Sequence, residues 1–245
     1  VELTFNAEIK VFAERDKSAY YPGEFGYLLI EKLKLNWENK MNNAVFYDTV
    51  RLENDGYADI QLQEFVDLPS FIEPLNFPIN LKPHELGMLV LKIDLSLADT
   101  IGPLAGSLKI NTTDKYFKRK QIDYYLDVKS DYSSLTRRQL KNAPKLILSS
   151  DLVDMGTMKS GIVRTKTITI TNAGKQPLIF KRIETDCSCA ILKPTKKILA
   201  TDESLEIPVF YDSLFKSGNQ FKKITLYSND PANPIQIITI KADVK

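Results

Sequence analysis

Thr49-Val50-Arg51-Leu52-Glu53-Asn54-Asp55-Gly56 returns 118 residues later as Thr167-Ile168-Thr169-Ile170-Thr171-Asn172-Ala173-Gly174. Each stretch alternates apolar with polar side chains, the pattern of a half-buried strand, and each closes on Asn-x-Gly. The same offset sets Trp37 on Met155, Glu85 on Glu203, Asp94 on Asp212, Leu108 on Leu226, Asn111 on Asn229 and Ile122 on Ile240. A gap-free register over about 75 positions, with turn residues falling on turn residues, reads as two copies of one domain. The Asn-x-Gly closures suit hairpin turns that need positive φ at the glycine.

Working outward, each copy is a series of short strands separated by turn signals. Leu28 to Trp37 reads as one strand, and Val209–Tyr211, Ile224–Tyr227 and Ile235–Val244 supply the last three. Asn229-Asp230-Pro231 and Asn233-Pro234 mark a turn between the final two. About seven strands per hundred residues is the density of an antiparallel β-sandwich. Ser134 to Leu140, with capping hydroxyls ahead and Pro144 behind, predicts a short helix between the copies. The expected architecture is therefore all-β: tandem Ig-like antiparallel sandwiches of the seven-stranded type joined by a short helical linker. The boundaries fall at 26–130 for the first domain, 131–144 for the linker and 145–245 for the second. Residues 1–25 form an N-terminal strand and linker. Asn6-Ala7-Glu8-Ile9-Lys10 resembles Leu126-Asp127-Val128-Lys129, so residues 1–12 are expected to be the last strand of a further copy upstream. With Val1 in first place, the chain reads as a processed or trimmed product.

Composition narrows the function classes. A net charge of +2 gives no general attraction to nucleic acid or to an acidic membrane surface. No apolar run approaches the roughly 18 residues that a membrane span needs. A single histidine, His84, leaves few means for acid–base chemistry, and in the turn Lys82-Pro83-His84-Glu85 it reads as a solvated polar residue. Lys115-Tyr116-Phe117-Lys118-Arg119-Lys120 superficially suggests single-stranded nucleic acid; a solvated hairpin with two anchoring aromatics is the better reading. Asp94, Asp99, Asp212 and Asp230 are scattered over turns without the alternation of a calcium loop. No catalytic triad order, phosphate loop or dinucleotide fingerprint is present. No catalytic residue, metal site or cofactor is assigned.

The two cysteines, Cys187 and Cys189, are the one stretch with a narrow set of chemical explanations. In a regular strand their Cα atoms would lie about 6.6 Å apart, near the upper limit for a disulfide, so a bridge needs the backbone to bend at Ser188. Structural thiols or a structural bridge, redox-active thiols, and soft-metal ligands are all open. Burial statistics for cysteine favour the first. Lys181, Arg182 and Lys193 flank the pair and would lower a thiol pKa. Structural zinc wants four ligands, and this copy offers two cysteines and no histidine.

With these residues in place, the second copy is recognisable. Val153-Asp154-Met155-Gly156, the Thr167–Ile179 strand and turn, Cys187-Ser188-Cys189, Pro194, Ile207 to Asp212, Gly218 and Ile224 to Asp230 together resemble the domain of unknown function 1573 family. The resemblance covers about 145–245, and it implies an Ig-like sandwich of the ASH/HYDIN/major-sperm-protein type in proteins exported by Bacteroidota. The first copy resembles a divergent relative, at about 28–130, with Pro69 and Phe71 in place of the cysteines. Two motifs depart from the family pattern. Cys187-Ser188-Cys189-Ala190 stands for Cys-Gly-Cys-Thr, so a positive-φ bend at Ser188 is not expected to be essential. Thr201-Asp202-Glu203 and Pro83-His84-Glu85 stand for Pro-Gly-Glu. If the protein is exported in this way, Asp99-Thr100-Ile101 and Asp212-Ser213-Leu214 fit short glycosylation sites.

The expected function is a non-enzymatic structural or protein-interaction module of an exported protein, periplasmic or at the cell surface. Its partner would be an unknown envelope protein or polymer, engaged by strand addition or loops, with no nucleic acid. The alternative is thiol redox or soft-metal capture through Cys187 and Cys189.

Overall fold

A computed structural model describes residues 26–245; the expected strand at 1–12 and the linker that follows it lie outside the described residues. The first nine strands are β1 (Leu28–Ile30), β2 (Lys34–Met41), β3 (Val45–Asn54), β4 (Ile60–Val66), β5 (Ile72–Pro74), β6 (Ile79–Leu81), β7 (Leu86–Asp94), β8 (Gly102–Thr112) and β9 (Arg119–Lys129). They form two sheets, ordered β1-β3-β7-β5 and β2-β9-β8-β4-β6. After the helix α1 (Arg137–Asn142) the set repeats as β10 (Leu146–Leu148), β11 (Leu152–Met158), β12 (Val163–Asn172), β13 (Leu178–Thr185), β14 (Ala190–Leu192), β15 (Ile198–Leu199), β16 (Ser204–Asp212), β17 (Gly218–Ser228) and β18 (Ile235–Val244). The second pair of sheets, β10-β12-β16-β14 and β11-β18-β17-β13-β15, reproduces the first order strand for strand.

Each copy is thus an Ig-like sandwich, nearly all antiparallel, with β11 running parallel to β18. It carries nine strands where seven were expected. Leu28–Trp37 is not one strand: the chain leaves one sheet after Ile30 and enters the other at Lys34. Short strands of two or three residues also finish the sheet edges. Period-two burial drives the assembly. Ile122, Tyr124, Leu126 and Val128 of β9 face inward, as do Ile238, Ile240, Ala242 and Val244 of β18. The helix is capped as its sequence predicts, with Thr136 Oγ1 accepting from Gln139 N and the Gln139 side chain accepting from Thr136 N.

The 118-residue offset holds from β1 through Asp94 and Asp212, then fails. Seven residues join β7 to β8 (95–101) and only five join β16 to β17 (213–217), so the later strands match at 116. The backbone bonds make this plain: Asp123 N donates to Leu33 O, and Thr239 N donates to Asp151 O. Leu108 therefore corresponds to Ile224 and Ile122 to Ile238, correcting the register read from sequence.

The Asn-x-Gly signals are not hairpin turns either. β3 pairs with β1 and β7 while β4 joins the opposite sheet, so Asn54 and Asn172 mark a crossing between layers. Asn54 Nδ2 donates to Ala58 O, Leu81 O and Lys82 O; Asn172 Nδ2 donates to Gln176 O, Leu199 O and Ala200 O. Their Oδ1 atoms accept from Gly56 N and Gly174 N. Each amide replaces strand ladder bonds where the chain changes sheet. The glycines are needed for close approach rather than positive φ: a Cβ on Gly174 would lie 2.2 Å from Ala143 O, and one on Gly56 2.8 Å from the Tyr27 ring. Positive φ falls instead on His84 (60°) and Asp202 (59°), the residues standing where the family pattern has glycine.

Candidate functional site

Cys187 and Cys189 lie in the loop between β13 and β14, outside any strand, and are bonded to each other with their Cα atoms 5.1 Å apart. The bend that a bridge requires at Ser188 is present, without positive φ there. Thr185 Oγ1 donates to Cys187 O at 2.9 Å, Ala190 N donates to Cys187 O, and Asp212 N donates to Cys189 O at 2.8 Å. Both cysteines are half-buried and packed on the second core, as are Leu148, Ile183 and Leu205, while Asp186 and Ser188 next to the cysteines are exposed. In the bridged state neither sulfur is a thiolate, so neither can ligate a metal. Arg182, expected to act on the thiols, is otherwise engaged. It stacks 4.3 Å from the Tyr227 ring centroid and pairs with Glu184 Oε1 at 3.2 Å.

The first sandwich builds the same bend without sulfur. Ile72 N donates to Pro69 O and Asp94 N to Phe71 O, the counterparts of the two bonds at Cys187 and Cys189. Phe71 puts its ring inside, edge-on to Tyr124, which in turn stacks on Trp37 with 5.6 Å between centroids. The Trp37 indole N–H is satisfied by Asp48 Oδ2 at 2.9 Å.

The remaining candidates are structural. His84 is exposed on its turn, edge-on to Tyr57. The basic stretch is a β8–β9 hairpin, but Lys120 is not solvated. Its Nζ donates to Asp114 Oδ2 at 2.6 Å and both side chains are fully buried. Asp114 Oδ2 also accepts from Tyr27 N and Leu28 N, and its Oδ1 from Tyr116 N. Burial raises the Asp114 pKa, but Lys120 and these N–H donors outweigh it and leave the carboxyl below its ordinary value. Burial lowers that of Lys120, with Asp114 opposing. Asp230 takes the equivalent place, accepting from Leu146 N, Ala232 N and Asn233 N, with Gln236 where Lys120 would be. The burial of Lys120 corrects the expectation that the whole basic stretch is solvated. Ser213, offered as a glycosylation site, is buried, with Oγ donating to Lys159 O and Ile162 O.

At one end of the second sandwich the β11–β12 and β16–β17 loops are locked together through Ser213. Ile162 N donates to Ser213 Oγ, Ser213 N to Ile162 O, and Ser160 Oγ to Ser213 O. On this brace stand Ile162, Val163, Leu214 and Phe215, all exposed, Phe215 by 90%. No helix among the described residues is long and apolar enough to cross a membrane.

Residues 146–244, the second sandwich, match the family described as Protein of unknown function (DUF1573), in agreement with the resemblance read from the motifs. No curated protein matches the chain. A solved protein of unknown function from Porphyromonas gingivalis W83 is similar with a TM-score of 0.57 and 20% identity, over 89% of this chain and 100% of its own. That likeness is one of fold. The ASH / PapD-like domain of human CEP192 is similar at 9% identity over 53% of this chain and 97% of its own, with a TM-score of 0.32 that carries no argument.

Proposed function

We propose that the chain is a non-enzymatic interaction module of an exported cell-envelope protein, and that the braced apolar end of its second sandwich meets a protein partner. The carrying observation is Phe215, held out to solvent on loops that Ser213 ties down, with Ile162, Val163 and Leu214 beside it. Contiguous exposed apolar side chains on a fixed support mark a contact surface more often than a solvated one. The equivalent end of the first sandwich exposes Val45 and Leu97 but has Asn43-Ala44 where the second has Gly161-Ile162 and no phenylalanine in its β7–β8 loop, so the larger patch belongs to the second copy.

The use of buried polar groups supports the non-enzymatic half of the reading. Asn54, Asn172, Asp114, Lys120, Asp230 and Ser213 are buried, and each is spent on holding backbone or on a neighbouring charge. Among the described residues Tyr211 Oη and Arg182 Nε and Nη2 are the buried side-chain atoms without a hydrogen-bond partner. Export and the envelope setting are part of the proposal and draw on the family resemblance, as is engagement of the partner by strand addition at an open sheet edge.

The test is capture from envelope extract by the full chain and by an Ile162→Ser, Phe215→Ser double variant. A protein retained at least about tenfold better by the unaltered chain supports the reading, since losing two apolar anchors costs several kcal/mol of binding. Equal capture by both chains sinks it.

A further inference from the structure

We propose that Cys187–Cys189 is a reversible two-electron couple, opened by an external dithiol and closed again while the sandwich stays folded. This is independent of the interaction surface.

The first support is how little the bridge constrains. A disulfide stabilises chiefly by closing a loop of the unfolded chain, and the effect grows with loop length. This one closes three residues, so it takes little from the unfolded ensemble. The second support is the other copy. Pro69 and Phe71 hold the same bend with the same two backbone hydrogen bonds, their carbonyls accepting from Ile72 N and Asp94 N, so the fold achieves this loop without a bridge. The third is placement. The sulfurs sit between β13 and β14 rather than within either strand, so opening the bond leaves the pairing of Ala190–Leu192 with Val209–Tyr211 and of Arg182–Thr185 with Ile224–Tyr227 intact. The half-buried cysteines with exposed residues on either side of Cys187 leave a path for a small thiolate. With only two cysteines in the chain, no internal thiol competes for the bond.

The step is thiol–disulfide exchange. A thiolate of the reagent attacks one sulfur, forming a mixed disulfide and releasing the other as a thiolate that takes up a proton. The reagent's second thiol then displaces the protein sulfur, which is protonated in turn. The protein gains two electrons and two protons, and the dithiol leaves as its cyclic disulfide.

The test uses the full chain with dithiothreitol, followed by alkylation with iodoacetamide and mass spectrometry, with circular dichroism, to which both sandwiches contribute, recorded in parallel. Both sulfurs are expected to become alkylated at least about tenfold faster than global unfolding proceeds, with unchanged spectra. Oxidised dithiothreitol should then restore the bridge. Labelling that keeps pace with unfolding, or reduction that melts the second sandwich, overturns the proposal. A Cys187→Ala, Cys189→Ala double variant gives a second measurement. It should fold with native spectra, and failure to fold would make the bridge structural and end the idea.

Discussion

The two sandwiches share one framework and fill it differently. Where the first has Phe71, Tyr124 and Trp37 in one aromatic cluster, the second has Cys189, Ile240 and Met155. A ring returns elsewhere: Tyr211 is fully buried in place of Ile93. Phe46, edge-on to Trp37, is matched by Arg164, which reaches Met155 O and Thr157 O. The charged end differs too, with Lys120 sealed against Asp114 in one copy and Gln236 donating to Leu146 O in the other. What stays constant is the polar pinning by Asn54 and Asn172 and the carboxylates that hold the first strands. The framework therefore resides in a few backbone-directed polar side chains, and core volume is free to be redistributed around them.

The largest effect expected is at the buried carboxylates. Asp114→Ala leaves the Lys120 ammonium buried without its partner and should cost the first sandwich about 3–5 kcal/mol. Asp230→Ala removes hydrogen bonds but strands no charge, and about 1–3 kcal/mol is expected. Denaturant titration separates the two when followed both by Trp37 fluorescence, which reports on the first sandwich alone, and by circular dichroism, which reports on both. Equal losses would dissolve the contrast. Next, Phe71→Ala should cost about 3 kcal/mol through the cavity it opens; fluorescence-detected unfolding checks it. A loss as small as that from removing the two cysteines would mean the bend, not the ring, holds that corner.

Asn54→Ala and Asn172→Ala sharpen the shared side of the comparison. Each strands several carbonyls and one glycine N–H, and each is expected to cost about 1–3 kcal/mol in its own copy. Circular dichroism melts should show the two losses alike, whereas unequal ones would show that the pins do different jobs. The smallest effect is in acid. The Asp114 carboxyl is depressed in the folded state, so its contribution is complete above the unfolded value of about 4 and is lost as pH falls through the folded value. Trp37 fluorescence should report progressive destabilisation there, and Lys120→Met, which removes a cause of the depression, should flatten that limb. An unchanged limb would assign the acid sensitivity to other groups.

Much of this was legible in the residues. The repeat, the sandwich class and the capped helix all follow from turn chemistry and period-two patterning. The slip from 118 to 116 was not, and the reason is physical. A shift of two residues keeps every side chain on its own face of the sheet, so Leu108 aligned on Leu226 looks as good as Leu108 on Ile224. The Asn-x-Gly reading failed because a glycine required by close approach has the same letter as one required by positive φ. Lys120 was hidden in a basic run, where charge suggests solvent. Only the spacing of Thr112-x-Asp114 against Ser228-x-Asp230 could have hinted that both carboxylates turn inward.

Those two carboxylates also pose a problem for a chain still being assembled. Asp114 must find Leu28, 86 residues back, and Asp230 must find Leu146, 84 residues back. Leu146 lies only 32 residues beyond Asp114, and closing that shorter loop costs about 1 kcal/mol less entropy. Mispairing between copies is thus the nearer encounter, a hazard tandem repeats commonly face. Synthesis from the N-terminus offers the remedy. The first carboxylate is already committed, with Lys120 shut in beside it, before the competing strand emerges.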